Sequence, residues 1–341
     1  MPQRRRANLK DVAALAETST ATASRALSGK GYVAAETRDR VLRAAKELNY
    51  HPNLRARDLR QQSSRNIGLI IPNLLNAYYT AMADAASYLL AERGYQLLLS
   101  STRDDPAVER EILHDMIGQD VAGLIWVPSA PEEDLLDYLQ SQHIPSVSIV
   151  RRVPRDRVDT VVFQDFDGSR AATQHLIGLG HHRIGYIGGD VRHSSNNARW
   201  QGYLAAMQEA GLPVDDSMIK LGTPRSTWGE VATLDLLHLP SPPTAIFAAS
   251  NAIMPGVLRV LRRHHVAVPD EMPLICFDDV DWFSFSIPPI TAISISHAKL
   301  AETAIGLLLR RIEDTGEIEK PPVFMEINFE FVLRGSTAPL P

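Results

Sequence analysis

Arg25 carries a planar fork of donors that matches O6 and N7 of a guanine in the major groove of duplex DNA. It lies in the run Ser19-Thr-Ala-Thr-Ala-Ser-Arg-Ala-Leu-Ser-Gly29, and Arg4, Arg5, Arg6, Arg38, Arg40, Arg43, Arg55, Arg57 and Arg60 crowd the same end of the chain. Residues 1–65 hold 14 Lys and Arg against 6 Asp and Glu, a net +8, whereas the remaining residues carry −13. A basic end on an acidic body points to a polyanion-binding module joined to a part with another task. Catalytic chemistry finds no footing. There is no Gly-x-x-x-x-Gly-Lys-Ser/Thr loop and no Gly-x-Ser-x-Gly elbow, and Gly185-Tyr-Ile-Gly188-Gly189 has the wrong spacing for a dinucleotide site. The adjacent pairs His181-His182 and His264-His265 lack the i, i+4 spacing that puts two ligands on one helix face. We therefore expect no enzyme activity, no cofactor and no metal.

The elements that must hold Arg25 are short helices. Leu9, Val12, Ala13 and Ala16 recur at helical period. Ser19 can cap a second helix with Thr22, Ala23, Ala26 and Leu27 on its inner side, and Gly29-Lys30-Gly31 ends it. A third helix from about Glu36 to Asn49 aligns Val41, Leu42, Ala45 and Leu48. Two short helices and a tight turn form a helix-turn-helix, whose second helix enters the major groove with its first residues on base edges. Thr20, Ala21, Thr22 and Arg25 are the base-facing candidates, with a phosphate contact the alternative for Arg25. Arg4, Arg5 and Arg6 suit a backbone-tracking arm. Asn53–Gln61 spans about two helical turns, too short to be stable alone, so it orders only when something holds it.

From Asn66 onward, apolar runs such as Ile67-Gly-Leu-Ile-Ile, Gly123-Leu-Ile-Trp-Val, Thr244-Ala-Ile-Phe-Ala and Leu274-Ile-Cys-Phe alternate with amphipathic helices. Continuous apolarity predicts strands covered on both faces, hence an α/β fold with doubly wound parallel sheets. More than ten such elements exceed one sheet and predict two lobes. Ligands in such folds bind beyond the carboxyl ends of the strands. The 341 residues, 45% hydrophobic, can bury such a core. Cys276 is the only cysteine, so no intrachain disulfide forms, and the polar start of the chain predicts a cytoplasmic protein with no membrane attachment.

The run Asn8-Leu-Lys-Asp-Val-Ala-Ala-Leu-Ala, the Ser19–Gly29 run and Glu36-Thr-Arg-Asp-Arg-Val-Leu-Arg-Ala-Ala-Lys-Glu-Leu-Asn-Tyr-His-Pro-Asn together resemble the LacI/GalR family of bacterial transcription regulators, and the match continues over nearly the whole chain. The resemblance implies a helix-turn-helix domain at 1–52, a hinge helix and linker at 53–65, and an effector-binding and dimerisation core at 66–341. That core is periplasmic-binding-protein-like, with an N-lobe of about 66–164 plus 292–324 and a C-lobe of about 165–291 plus 325–341. The chain would cross between lobes near Gln164, Ala292 and Met325. In the hinge, Asn53, Arg55, Ala56 and Leu59 would meet the minor groove, Leu59 as a wedge between base steps. In the cleft the candidates are Asn73, Tyr78, Tyr79, Arg199, Trp228, Ser250, Asn251 and Asp278. Arg199 and Asp278 would clamp a polyol. Packing is the alternative for the aromatic residues, and an ion pair for Arg199. The implied partners are a palindromic operator, a second copy of the chain and a small effector, of carbohydrate type or else a phosphorylated sugar, a sugar acid or a nucleobase.

The chain departs from the family at several places. Glu17-Thr18 replaces Gly-Val in the turn, Ala23 replaces Val, Gln164-Asp165 replaces Asp-Asn, Ser250-Asn251 replaces Asn-Asp, and Cys276 replaces Gly. A sugar-binding transport protein and an α/β enzyme are the competing classes; the first has no use for residues 1–65 and the second lacks a catalytic set.

Overall fold

The computed structural model describes residues 7–29, 31–50, 64–130, 133–154, 157–314 and 320–340. It divides into two compact units, Met1–Ser64 and Arg65–Pro341.

The small unit holds α1 (Leu9–Leu15), α2 (Thr20–Ser28) and α3 (Ala35–Glu47). Asn8 opens α1 reciprocally: its side chain accepts from the Lys10 and Asp11 amides, and Asp11 accepts from the Asn8 amide at 2.8 Å. The Glu17 and Thr18 amides return to the Ala14 and Ala13 carbonyls and satisfy the end of α1. That closure holds Glu17 at φ +50°, where glycine is cheaper by up to about 1 kcal/mol. Val12, Ala13, Ala16, Ala23, Ala26, Val41, Ala44 and Ala45 form the core. The expected Leu42 is 48% exposed instead, because Val41, Ala44 and Ala45 make the inward stripe and the next position turns about 100° away.

The large unit contains β1 (Asn66–Ile71), β2 (Gln96–Ser101), β3 (Gly123–Trp126), β4 (Ser146–Ile149), β5 (Asp159–Phe163) and β11 (Phe324–Ile327), which form one sheet in the order β11-β5-β4-β3-β1-β2. A second sheet uses β6 (Ile184–Gly189), β7 (Ile219–Gly222), β8 (Ala245–Ala248), β9 (Leu274–Phe277), β10 (Thr291–Ile295) and β12 (Phe329–Val332), ordered β12-β10-β9-β8-β6-β7. Every pairing is parallel except β12 against β10. The central strands are buried at every position, as their unbroken apolarity requires. α5 (Pro106–Gly118) and α6 (Glu133–Ser141) belong to the first lobe. There, α4 (Ala77–Glu92) packs on α11 (His297–Glu313), and α11 lies against β3, β4 and β5. In the second lobe, α7 (Asp165–Gly178) packs on α8 (Ser194–Glu209), and α9 (Ser226–Leu237) on α10 (Met254–Arg263). The first of these pairs is so close that a Cβ on Gly202 would stand 2.2 Å from the Phe166 carbonyl oxygen.

The chain passes between lobes at Gln164, at Ser296 and at Asn328. The second and third passages differ from the expected Ala292 and Met325, because both residues lie inside strands. Ala292 pairs with Cys276 and Val332 in the second sheet, and Met325 pairs with Val161 in the first. Among the described residues no helix is long and apolar enough to cross a membrane.

Candidate ligand cleft and DNA-reading helix

Strand ends from both sheets converge on one cavity of about 890 Å³, the size of a small-molecule site. Asn73 follows β1, Arg151 follows β4, Ser250 and Asn251 follow β8, and Asp278 follows β9. The cavity therefore sits where the fold predicts it.

Arg199 is the centre of its polar wall. Projecting from α8 and only 5% exposed, it donates from Nε to Asp165 Oδ1 at 2.8 Å, from Nη1 to the Ala249 carbonyl at 2.8 Å, and from Nη2 to Asp278 Oδ1 at 3.1 Å. Its guanidinium lies over the Phe277 ring, 3.8 Å from the centroid. Burial disfavours this charge, yet the facing Asp278 and Asp165 carboxylates hold the guanidinium above the ordinary arginine range. Burial also pushes the Asp165 carboxyl up to about 6, against the pull of Arg199. The expected clamp is thus a pair: Arg199 and Asp278 hold each other, at a backbone turn that puts Asp278 at φ +68°.

Asn251 Nδ2 donates to Asp278 Oδ2 at 3.2 Å and to Asn76 Oδ1 at 3.1 Å, linking the lobes. Asn73 supports this turn, accepting from the Leu75 and Asn76 amides. Tyr78 lines the cavity with its ring edge-on to Phe163 and His297. Its hydroxyl is buried and has no hydrogen-bond partner among the described residues. Burial, then Asp278, raises the Tyr78 pKa well above the phenol range, so this hydroxyl stays a donor. Tyr79 also lines the cavity and is pushed up to about 12 by burial. Ser250 is buried there, its Oγ accepting from the Ala252 amide at 3.4 Å.

Trp228 does not line the cavity. Its indole lies on Gly222, where a Cβ would come within 2.5 Å, and its Nε1 donates to the Gly188 carbonyl at 3.2 Å. A different tryptophan, Trp282, lines the cavity.

In the small unit, Ser19 Oγ accepts from the Thr22 amide at 3.1 Å, which fixes the start of α2. Thr20, Ala21 and Arg25 are exposed, and Thr22 is half-buried with its Oγ1 2.9 Å from Ser19 Oγ. Asn53, Arg55, Ala56 and Leu59 lie outside the described residues.

Residues 8–53 match the profile of bacterial regulatory proteins, lacI family, and residues 173–337 that of the periplasmic binding protein-like domain. The chain is 33% identical over 330 residues to the HTH-type transcriptional repressor PurR of Actinobacillus pleuropneumoniae serotype 3 (strain JL03), covering 97% of this chain and 98% of that protein. The chain belongs to the LacI family. The PurR repressor of Haemophilus influenzae (strain PittEE) is 31% identical with the same coverage. A complex of the transcriptional regulator CelR with cellobiose is similar at TM-score 0.73 and 30% identity, covering 97% of this chain and 100% of that one. A lac repressor dimer bound to operator and the anti-inducer ONPF shares the fold at TM-score 0.84 and 24% identity, covering 98% and 100%. The protein is accordingly a LacI-family DNA-binding transcriptional regulator with a ligand-binding core.

Sequence reasoning missed several wall residues of this LacI-family cleft. Arg103 follows β2, Arg151 follows β4, Arg225 follows β7, and Ser195 and Asn196 open α8. Arg151 donates to Asp104 Oδ1 at 2.6 Å and to the Pro128 carbonyl at 2.8 Å, while its buried Nε has no partner among the described residues. The rule that selected Asn73, Asn251 and Asp278, looking just past each strand, finds the three arginines when it is applied to every strand. Among the described residues no group of His, Cys, Asp or Glu is arranged to hold a metal ion.

Proposed function

We propose that this regulator is a repressor that binds a two-fold symmetric operator as a homodimer and loses or gains its grip when a small ligand fills the cleft. Thr20, Ala21, Thr22 and Arg25 read base edges in each half-site. Asn53, Arg55, Ala56 and Leu59 meet the minor groove between them, Leu59 opening a base step. Asn73, Tyr78, Tyr79, Arg199, Ser250, Asn251 and Asp278 form the ligand wall, with Arg199 fixing the carboxylates rather than reaching the ligand alone. The reader spans 1–52, the hinge 53–65 and the core 66–341. Such a protein works in the cytoplasm and catalyses nothing.

The observation that carries the coupling is that both lobes close around one cavity through polar ties. Asn251 donates to Asn76, and the Arg152 amide donates to Ser194 Oγ at 2.7 Å. A ligand that bridges the same walls changes the free energy of one lobe arrangement relative to another, and operator affinity changes by linkage. The repressor relatives and the operator-bound dimer support the assignment.

Selection of bound sequences from random duplex DNA, repeated with a metabolite panel, tests it. The expected result is a palindromic consensus whose half-sites lie one helical turn or a multiple apart, with selection altered by a small ligand. A single asymmetric half-site, or retention unaffected by every ligand that binds the cleft, would overturn it.

A further inference from the structure

We propose that the effector is an anion, a sugar-sized molecule carrying a phosphate or carboxylate, and that Arg103 and Arg225 hold its charged group from opposite lobes. The proposal deepens the effector function proposed above and rests on it.

Among the described residues the cavity wall holds four arginines, Arg103, Arg151, Arg199 and Arg225, against two carboxylates, Asp104 and Asp278. With Asp165 behind Arg199 the cations still exceed the carboxylates, four to three. This is a cationic pocket in a body whose net charge is −13. Two of the four cations are already committed: Arg199 to Asp165 and Asp278, and Arg151 to Asp104. Arg103 and Arg225 are exposed on the cavity wall and make no salt bridge among the described residues. Arg103 follows β2 in the first lobe, and Arg225 follows β7 in the second.

Three further features favour negative charge between them. α8 and α9 of the second lobe both begin at the cavity, which Ser195 and Asn196 of the one and Ser226 and Thr227 of the other line. Neither helix has a side-chain cap, so first-turn N–H groups of both remain for an acceptor oxygen. The buried Arg151 Nε, on a side chain only 7% exposed, also lacks an acceptor. A neutral polyol would leave these donors and both free cations to water. An oxyanion in the cavity supplies the acceptor that such donors lack and, held from both lobes, adds a tie that exists only while the ligand is bound.

The test is calorimetric titration of the full chain with matched ligands at low and high salt: glucose, glucose 6-phosphate and glucuronate, then ribose and ribose 5-phosphate. Each is repeated on Arg103→Ala and Arg225→Ala, exposed positions whose truncation leaves the fold intact. We expect an anionic member to bind at least about tenfold tighter than its neutral counterpart, to weaken with salt, and to lose that advantage in either variant. The phosphate and carboxylate arms identify which oxyanion is taken. A neutral sugar binding as tightly as its anionic counterpart, an undiminished anion affinity in both variants, or no anion binding at all would overturn the proposal. The two proposals fail separately. A neutral ligand that shifts operator affinity preserves the effector function, whereas an anion that binds without touching operator affinity preserves only the anion site.

Discussion

Asn251 reaches across the cleft to Asn76, its Nδ2 standing 3.1 Å from the Asn76 Oδ1. The orientations of both amides follow from their other partners. Asn76 Oδ1 also accepts from the Tyr78 amide at 3.0 Å, and Asn251 Nδ2 also donates to Asp278 Oδ2. A continuous polar chain thus runs from the start of α4 through Asn251, Asp278 and Arg199 to Asp165.

Replacing Asn251 by Ala removes one of the two polar ties described between the lobes, leaving that of the Arg152 amide to Ser194, and leaves Asp278 short of one donor. The expected cost is about 1–2 kcal/mol in urea unfolding, with a change in effector affinity of similar size. An unchanged unfolding midpoint together with unchanged effector binding would show that the bridge contributes nothing.

Asp165 makes stability fall as pH rises. Its folded-state pKa is raised from 3.8 to about 6, so the folded protein holds this proton more tightly than the unfolded chain does. The contribution is full below about 4 and is lost as pH climbs through about 6, a change on the order of 1–3 kcal/mol. Asp165→Asn, which keeps an acceptor for Arg199 Nε, should lack this decline. Unfolding curves measured from pH 4 to 7 that run parallel for the two proteins would contradict the assignment.

Arg25 is exposed on α2 with only a 3.4 Å contact from its Nε to the Ala21 carbonyl, so its fork is free to be recruited. Arg25→Ala should cost about 1–3 kcal/mol and relax preference at one base pair per half-site. A loss that is uniform across all operator variants would instead mark a phosphate contact, and the salt slope of binding would fall with it.

Gly202→Ala forces a Cβ against the Phe166 carbonyl oxygen, a backbone atom that cannot swing aside. The helices must part, which costs roughly 1–3 kcal/mol and lowers Tm by several degrees. Because α7 carries Asp165 and α8 carries Arg199, effector affinity should drop as well. Full effector affinity in a destabilised variant would separate this packing from the site.

Much of this was legible in the residues. Unbroken apolar runs announced buried strands, and Ser19, Gly29 and the stripe of Val12, Ala13 and Ala16 announced the small helical unit. The passages were harder to place, because Ala292 and Met325 are as apolar as any strand interior and composition does not show where a strand changes sheets. An ion pair stood as the alternative for Arg199, but that its partner is Asp278 was not legible, since residue type gives charge and reach but not which opposite charge lies nearest after folding. Trp228 was misplaced for a similar reason: the bare backbone of Gly222 gives its indole a seat outside the cavity.

Phe163 and Ile295 line the cavity, and each stands one residue before a passage between the lobes; Asp165 stands one residue after the first of them. Two of the three passages between the lobes therefore adjoin the cavity wall. A ligand lying against Phe163 and Ile295 would touch the chain just where it changes lobes.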